Sequence, residues 1–280
     1  MIILLFLLAV SSMLQAQNEN RLLELQEEHP FAYDLGIKVL PSSHPDAQVT
    51  ICAHGYGHSN KIADVMRSFQ VFSDHIIGFN FPDYGITSQT DHAKSSFGSI
   101  DEILPLLYIL KRCVVDLHIP VINLYGFSAG GGAIVNALAA LNQNRFDADL
   151  KKIGITSKDK KQIFGALKNG LIILNCPLKS VEEIIELRGK SREFEILALR
   201  YVKNNMRPID AIGALEGMAL NILLHFQKPD EILSNRDDVL FIERLRATNK
   251  GDTTVVIGSE GGHNVFHASL WKQYKKIKQS

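Results

Sequence analysis

The sequence has no excess of charge of either sign: 30 lysines and arginines are matched by 30 aspartates and glutamates over 280 residues. A nucleic-acid binder carries a basic excess or a basic face that neutralises phosphates, and neither stands out here. Cysteine is scarce, at three residues, too few for a disulfide framework. Cys52, Cys113 and Cys176 lie in or beside apolar runs and read as buried free thiols. None forms a CxxC pair, and no cysteine–histidine group has zinc-ligand spacing, so neither a metal nor a cofactor is expected. There is no internal repeat and no low-complexity tract. No segment reaches the ~20 apolar residues that a membrane span needs. With 46% hydrophobic against 21% charged residues, the chain has enough apolar surface to offset its entropy, which excludes disorder. What is left is one large globular domain, able to bury about 75% of its unfolded surface.

The first sixteen residues differ in kind from the rest. Met1 to Val10 is an unbroken apolar run, too short to span a bilayer, followed by Ser11, Ser12 and Leu14-Gln15-Ala16. This pattern reads as the apolar region of a signal peptide, residues 1–16, cut after Ala16 to leave Gln17 as the mature start. No Lys or Arg precedes the run, and Leu14 stands where a small residue is usual. The expectation is an exported protein, secreted or periplasmic, with its folded domain at 17–280.

Beyond that point short apolar runs alternate with segments of helical spacing. Strands are expected at 49–53, 76–81, 120–125, 170–174, 220–225 and 253–257, and helices at 62–72, 100–117, 133–141, 239–245 and 263–277. Alternation of this kind implies a mainly parallel central sheet with helices on both faces. Ser99 and Glu102 suggest a capping box for the helix from Ile100, which Pro105 disputes. About forty residues, 178–217, have helical character and no strand, and read as a helical lid insertion.

The segment that carries chemistry is Gly126-Phe127-Ser128-Ala129-Gly130. A G-x-S-x-G that follows a strand and opens a helix has the context of a nucleophile elbow, in which the serine sits on a sharp turn and the glycines admit close backbone. A hydroxyl needs a base to act as a nucleophile. His263, in Gly258-Ser-Glu-Gly-Gly-His-Asn beyond the last strand, is placed to serve, with His267 its close competitor. Asp230 is the first carboxylate past the strand at 220–225 and would orient the imidazole; Glu231, Asp237 and Asp238 compete. After the preceding strand, 175–180 offers no acid. An oxyanion hole needs two backbone N–H groups; Ala129, after the serine, and Tyr56, in His54-Gly55-Tyr56-Gly57 after an early strand, are the candidates. His54 and His58 have metal-like spacing, but two glycines intervene.

These pieces, with Gly262-His263 and the turn Phe81-Pro82-Asp83-Tyr84-Gly85, resemble the α/β-hydrolase superfamily over about residues 33–280. The N-terminal part of the sheet is short for it. The resemblance implies an α/β-hydrolase fold and a serine hydrolase, with Ser128, Asp230 and His263 as catalytic triad and an ester as substrate. The same residues serve a peptidase, an amidase or an acyltransferase, and non-catalytic binders share the fold. The expected partner is a small-molecule or lipid-like acyl ester, with no nucleic acid and no stable membrane span.

Overall fold

The computed structural model describes residues 21–26, 29–31, 34–42, 48–68, 74–82, 98–180, 182–183, 206–259, 262–264 and 267–279. The signal-peptide segment, Asp83-Tyr84-Gly85 and most of the 178–217 insertion lie outside the described residues. In chain order the main elements are β1 (Lys38–Leu40), β2 (Val49–Ala53), α1 (Ile62–Ser68), β3 (His75–Gly78), α2 (Ile100–Lys111), β4 (Ile122–Phe127) and α3 (Ala129–Asn142). There follow α4 (Asp147–Lys152), α5 (Ser157–Lys168), β5 (Leu171–Asn175), α6 (Pro208–Ala211), β6 (Asn221–Gln227), α7 (Asp238–Thr248), β7 (Thr253–Gly258) and α8 (Ala268–Lys278). The seven strands form one sheet in the order β1-β3-β2-β4-β5-β6-β7, and only β1 runs antiparallel to its neighbour. This is the mainly parallel sheet expected from the alternation of strands and helices.

The strand sequences explain why both faces are covered. β2, β4 and β5 are buried at every position, as expected of strands enclosed by helices. Side chains alternate across the sheet. Ile51, Leu124, Ile172 and Leu224 enter one core with α2, α3, α5 and α7. Cys52, Tyr125, Ile173 and Leu223 enter the other, against Ile62 and Met66 of α1 and Leu270, Trp271 and Tyr274 of α8. All three cysteines are buried and free.

Several local expectations need correction: the strand expected at 76–81 ends at Gly78, and the helix expected at 263–277 begins at Ala268, which leaves His263 in a loop. Ser99 makes no side-chain cap to α2; the Glu102 carboxylate instead accepts the Gly98 N–H at 2.7 Å. Pro105 lies inside α2 without ending it, and the segment closes in a π-helical stretch at Arg112–Asp116. No helix among the described residues is long and apolar enough to cross a membrane.

The described ends of the insertion are tied to the sheet. Leu178 donates its N–H to the Ser128 carbonyl, and Ile209 donates to the Lys179 carbonyl. The Lys179 ammonium, 1% exposed, lies 2.7 Å from Asp238 and 2.8 Å from Glu183 and sits over the Phe226 ring. Burial pushes the Glu183 carboxyl up to about 7, against the pull of Lys179. Removing one member of such a buried group leaves the others unpaired. Lys179→Met is therefore expected to destabilise the fold by about 3–5 kcal/mol, read from the denaturant midpoint. Arg236→Gln, at the exposed pair with Asp237, is expected to change it by less than about 1 kcal/mol. Equal effects would contradict the assignment.

Candidate active site

Because β2 and β4 to β7 run parallel in adjacent register, the loops that leave their C-terminal ends meet along one edge. Ala53 pairs with Gly126, Phe127 with Asn175, Asn175 with His225, and Gln227 with Gly258. Every candidate residue lies just beyond one of these ends, where α/β sheets place their ligands.

Ser128 joins β4 directly to α3 at φ 53° and ψ −119°, a region that a residue with a Cβ occupies at a cost of about 1–3 kcal/mol. The turn is clamped from three sides. Ser128 donates its N–H to the Asn175 carbonyl, and its own carbonyl accepts from Gly131, Gly132 and Leu178. The glycines that follow allow close packing. A Cβ at Gly130 would lie 2.2 Å from the Ala53 carbonyl oxygen, and one at Gly132 would lie 2.6 Å from that of Leu178. The run packs against the ends of β2 and β5.

The loop after β2 passes over the serine. A Cβ at Gly55 would meet the Phe127 ring at 2.9 Å and the Ser128 Cβ at 3.2 Å. His54 fixes this loop: its Nδ1–H donates to the Gly55 carbonyl at 2.8 Å, and its Nε2 accepts from the Phe81 N–H at 3.3 Å. Burial lowers its pKa to about 4, so the ring is neutral and both nitrogens are engaged. Tyr56 is exposed in the turn, and Ala129 is buried as the first residue of α3.

Asp230 and His263 meet. His263 Nδ1 lies 2.8 Å from Asp230 Oδ2, with both side chains buried. Asp230 Oδ1 accepts from the N–H groups of Ile232 and Leu233, each at 2.8 Å. Burial works to raise the Asp230 carboxyl, but the His263 hydrogen bond and charge and the two backbone donors outweigh it, holding it below the ordinary carboxylate value. The His263 ring lies 4.9 Å from that of Phe127, the residue before the serine. His263 Nε2 is buried and makes no hydrogen bond among the described residues, Ser128 included.

The competing residues have other partners. Glu231 accepts the His263 backbone N–H at 2.7 Å, holding the same residue by its main chain. Asp237 precedes α7 and pairs with Arg236, and Asp238 is taken by Lys179. His267 is buried against His225 and Cys176. Sequence reasoning missed the roles of His54, Glu231 and Asn175. Asn175 Nδ2 donates to the Tyr125 hydroxyl and, at 3.3 Å, to the Asn264 carbonyl beside His263. Neighbouring charge gave a signal only for Glu231. Burial pushes the Cys176 thiol far up, so it carries no thiolate to act as nucleophile.

The fold is shared with solved structures at low identity. The carboxylesterase Cest-2923 from Lactobacillus plantarum matches 90% of this chain and 92% of its own at a TM-score of 0.61 and 12% identity. A monoacylglycerol lipase from Paleococcus ferrophilus matches 88% and 98% at 0.53 and 14%. An acylaminoacyl peptidase from Pyrococcus horikoshii matches 90% of this chain but 39% of its own, at 0.61 and 13%. No protein-family model and no curated protein matches the sequence. The chain has the α/β-hydrolase fold.

A group whose carboxyl is depressed in the folded state contributes stability above its unfolded value, near 3.9, and loses it as pH falls through the folded value. Asp230→Asn is therefore expected to flatten the acid limb. Between about pH 5 and pH 2 the urea midpoint of the wild type should fall more steeply than that of the variant. Parallel slopes would place the proton-linked stability elsewhere.

Proposed function

We propose that the chain is an exported serine hydrolase that cleaves a small-molecule or lipid-like acyl ester through a Ser128–His263–Asp230 triad. One observation carries the reading: an aspartate–imidazole pair packs its ring against Phe127, the residue that precedes a serine held at positive φ, and its outer nitrogen has no hydrogen bond among the described residues. The esterase and lipase among the similar structures support the ester class.

In this reading Ser128 Oγ attacks the acyl carbonyl while His263 Nε2 takes its proton, which requires the Ser128–His263 bond to close when substrate binds. Asp230 keeps the ring in its Nδ1–H tautomer and stabilises the imidazolium. The N–H groups of Ala129 and Tyr56 collect the carbonyl oxygen as it becomes negative. His263 returns the proton to the leaving alcohol, and water then repeats the sequence on the acyl-enzyme. Likeness to an acylaminoacyl peptidase supports an amide-cleaving alternative on the same residues. Matched ester and amide substrates with one acyl group separate the two.

A fluorophosphonate should add one label to the wild type and none to Ser128→Ala, whose melting temperature should stay unchanged. Asp230→Asn should lower the rate by up to ~10⁴. Intact mass of the labelled exported protein also reports its start, expected at Gln17. Full labelling of Ser128→Ala would overturn the triad, and a retained Met1 would overturn cleavage after Ala16 and favour an N-terminal anchor.

A further inference from the structure

Behind the Asp230–His263 pair lies a second group of side chains that the proposed reaction does not use. Cys176 follows β5, His225 lies within β6, and His267 immediately precedes α8; all three are at most 2% exposed. Cys176 Sγ lies 3.7 Å from His225 Nδ1 and 3.9 Å from His267 Nε2. The two imidazole rings are 4.6 Å apart, and one ligand atom from each residue lies within 4.8 Å of the other two. Separations of 49 and 91 residues from Cys176 hide this group from any spacing motif.

We propose that Cys176, His225 and His267 bind one borderline-soft divalent cation of the zinc class. The donor set is one thiol and two imidazoles, the ligand types that zinc selects. Tetrahedral zinc, with bonds of about 2.3 Å to sulfur and about 2.0–2.1 Å to nitrogen, sets sulfur–nitrogen edges of about 3.5 Å. The two edges in the structure need to contract by only a few tenths of an ångström. Each ligand comes from a different segment, so the fold assembles the site before any ion arrives. Cys176 holds its place at φ 45°, a conformation uncommon for a side-chain-bearing residue, with its N–H bonded to the His225 carbonyl at 2.9 Å.

The surroundings of His225 accommodate the exchange. Its Nδ1–H donates to Asn175 Oδ1 at 2.9 Å, and this is the bond that the ion displaces. On the far side, Ser269 Oγ lies 3.4 Å from His225 Nε2 and becomes the acceptor for the proton once Nδ1 is ligated. A metal-bound imidazole commonly donates its other N–H in this way. As the sulfur–metal bond forms, the Cys176 thiol loses its proton to solvent, one proton per ion. The fourth position faces the reaction side: Cys176 Sγ, an Asp230 carboxylate oxygen and a His263 ring nitrogen also lie within 4.8 Å of one another. A cation held there draws the Asp230 carboxylate away from His263 and inhibits hydrolysis. That consequence rests on the proposed triad; the binding does not.

The test titrates the purified full-length protein with Co²⁺ as a spectroscopic stand-in for Zn²⁺. The expected result is a thiolate-to-cobalt charge-transfer band that saturates at one ion per chain and is displaced by Zn²⁺. It should be lost in Cys176→Ser and weakened at least tenfold in His267→Gln. If Cys176→Ser fails to fold, His267→Gln and the proton count on Zn²⁺ binding decide. No charge-transfer band, or one of equal affinity in folded His267→Gln, overturns the site. Zinc inhibition of ester hydrolysis should weaken in parallel in His267→Gln. A cobalt band in a protein whose metal-free form takes no fluorophosphonate label at Ser128 would uphold the site and sink the triad reading instead.

Discussion

The positive φ of Ser128 is the constraint on which the rest of the arrangement depends. A β-strand that turns into a helix with a single intervening residue passes here through a backbone conformation that side chains disfavour. It persists only because its surroundings over-determine it. The Asn175 carbonyl holds the Ser128 N–H, and the Leu178 N–H and the first turn of α3 hold its carbonyl. The first turn of α3 can reach that position because Gly130 lies against the Ala53 carbonyl, where no side chain would fit. The same clamp sets where the polypeptide leaves β5 for the insertion, while His54 holds the Gly55 loop against the serine. The loops after β2, β4 and β5 thus meet at one residue.

The remaining two loops are organised by charge. Two consecutive carboxylates act on one histidine: Asp230 takes the ring and Glu231 takes the backbone N–H. Asp230 is itself fixed by two backbone donors, so the position of the imidazole follows from the geometry of the loop after β6. A third acid in the same stretch, Asp238, is neutralised separately by Lys179.

Much of this was legible in the sequence. Strand existence and the mainly parallel sheet followed from short apolar runs bounded by glycine and proline, because buried parallel strands have no polar face to disguise them. The edge strand β1 gave no such signal, since three residues of mixed polarity do not show a period. Ser128, Asp230 and His263 were singled out because the chemistry demands residue types at strand ends, and of these the structure brings Asp230 and His263 into contact. Asp237 and Asp238 were separable from Asp230 as residues at a helix start, but the buried role of Asp238 was not, since Lys179 lies 59 residues away. The loop after β5 read as empty because it holds no acid, yet Asn175 and Cys176 there contact both histidine clusters. Neither contact has a local pattern; both come from register between strands.

The proposed catalytic centre unites the strained serine, the loop beside it and the aspartate-held histidine. A crystal structure of the protein inactivated by a small phosphonate ester tests that union. Phosphorus should be bonded to Ser128 Oγ, with its oxygen within hydrogen-bond reach of the N–H of Ala129 and of the loop containing Tyr56, and His263 Nε2 turned toward Ser128. An adduct on another residue, or a phosphoryl oxygen pointing away from both loops, would contradict it.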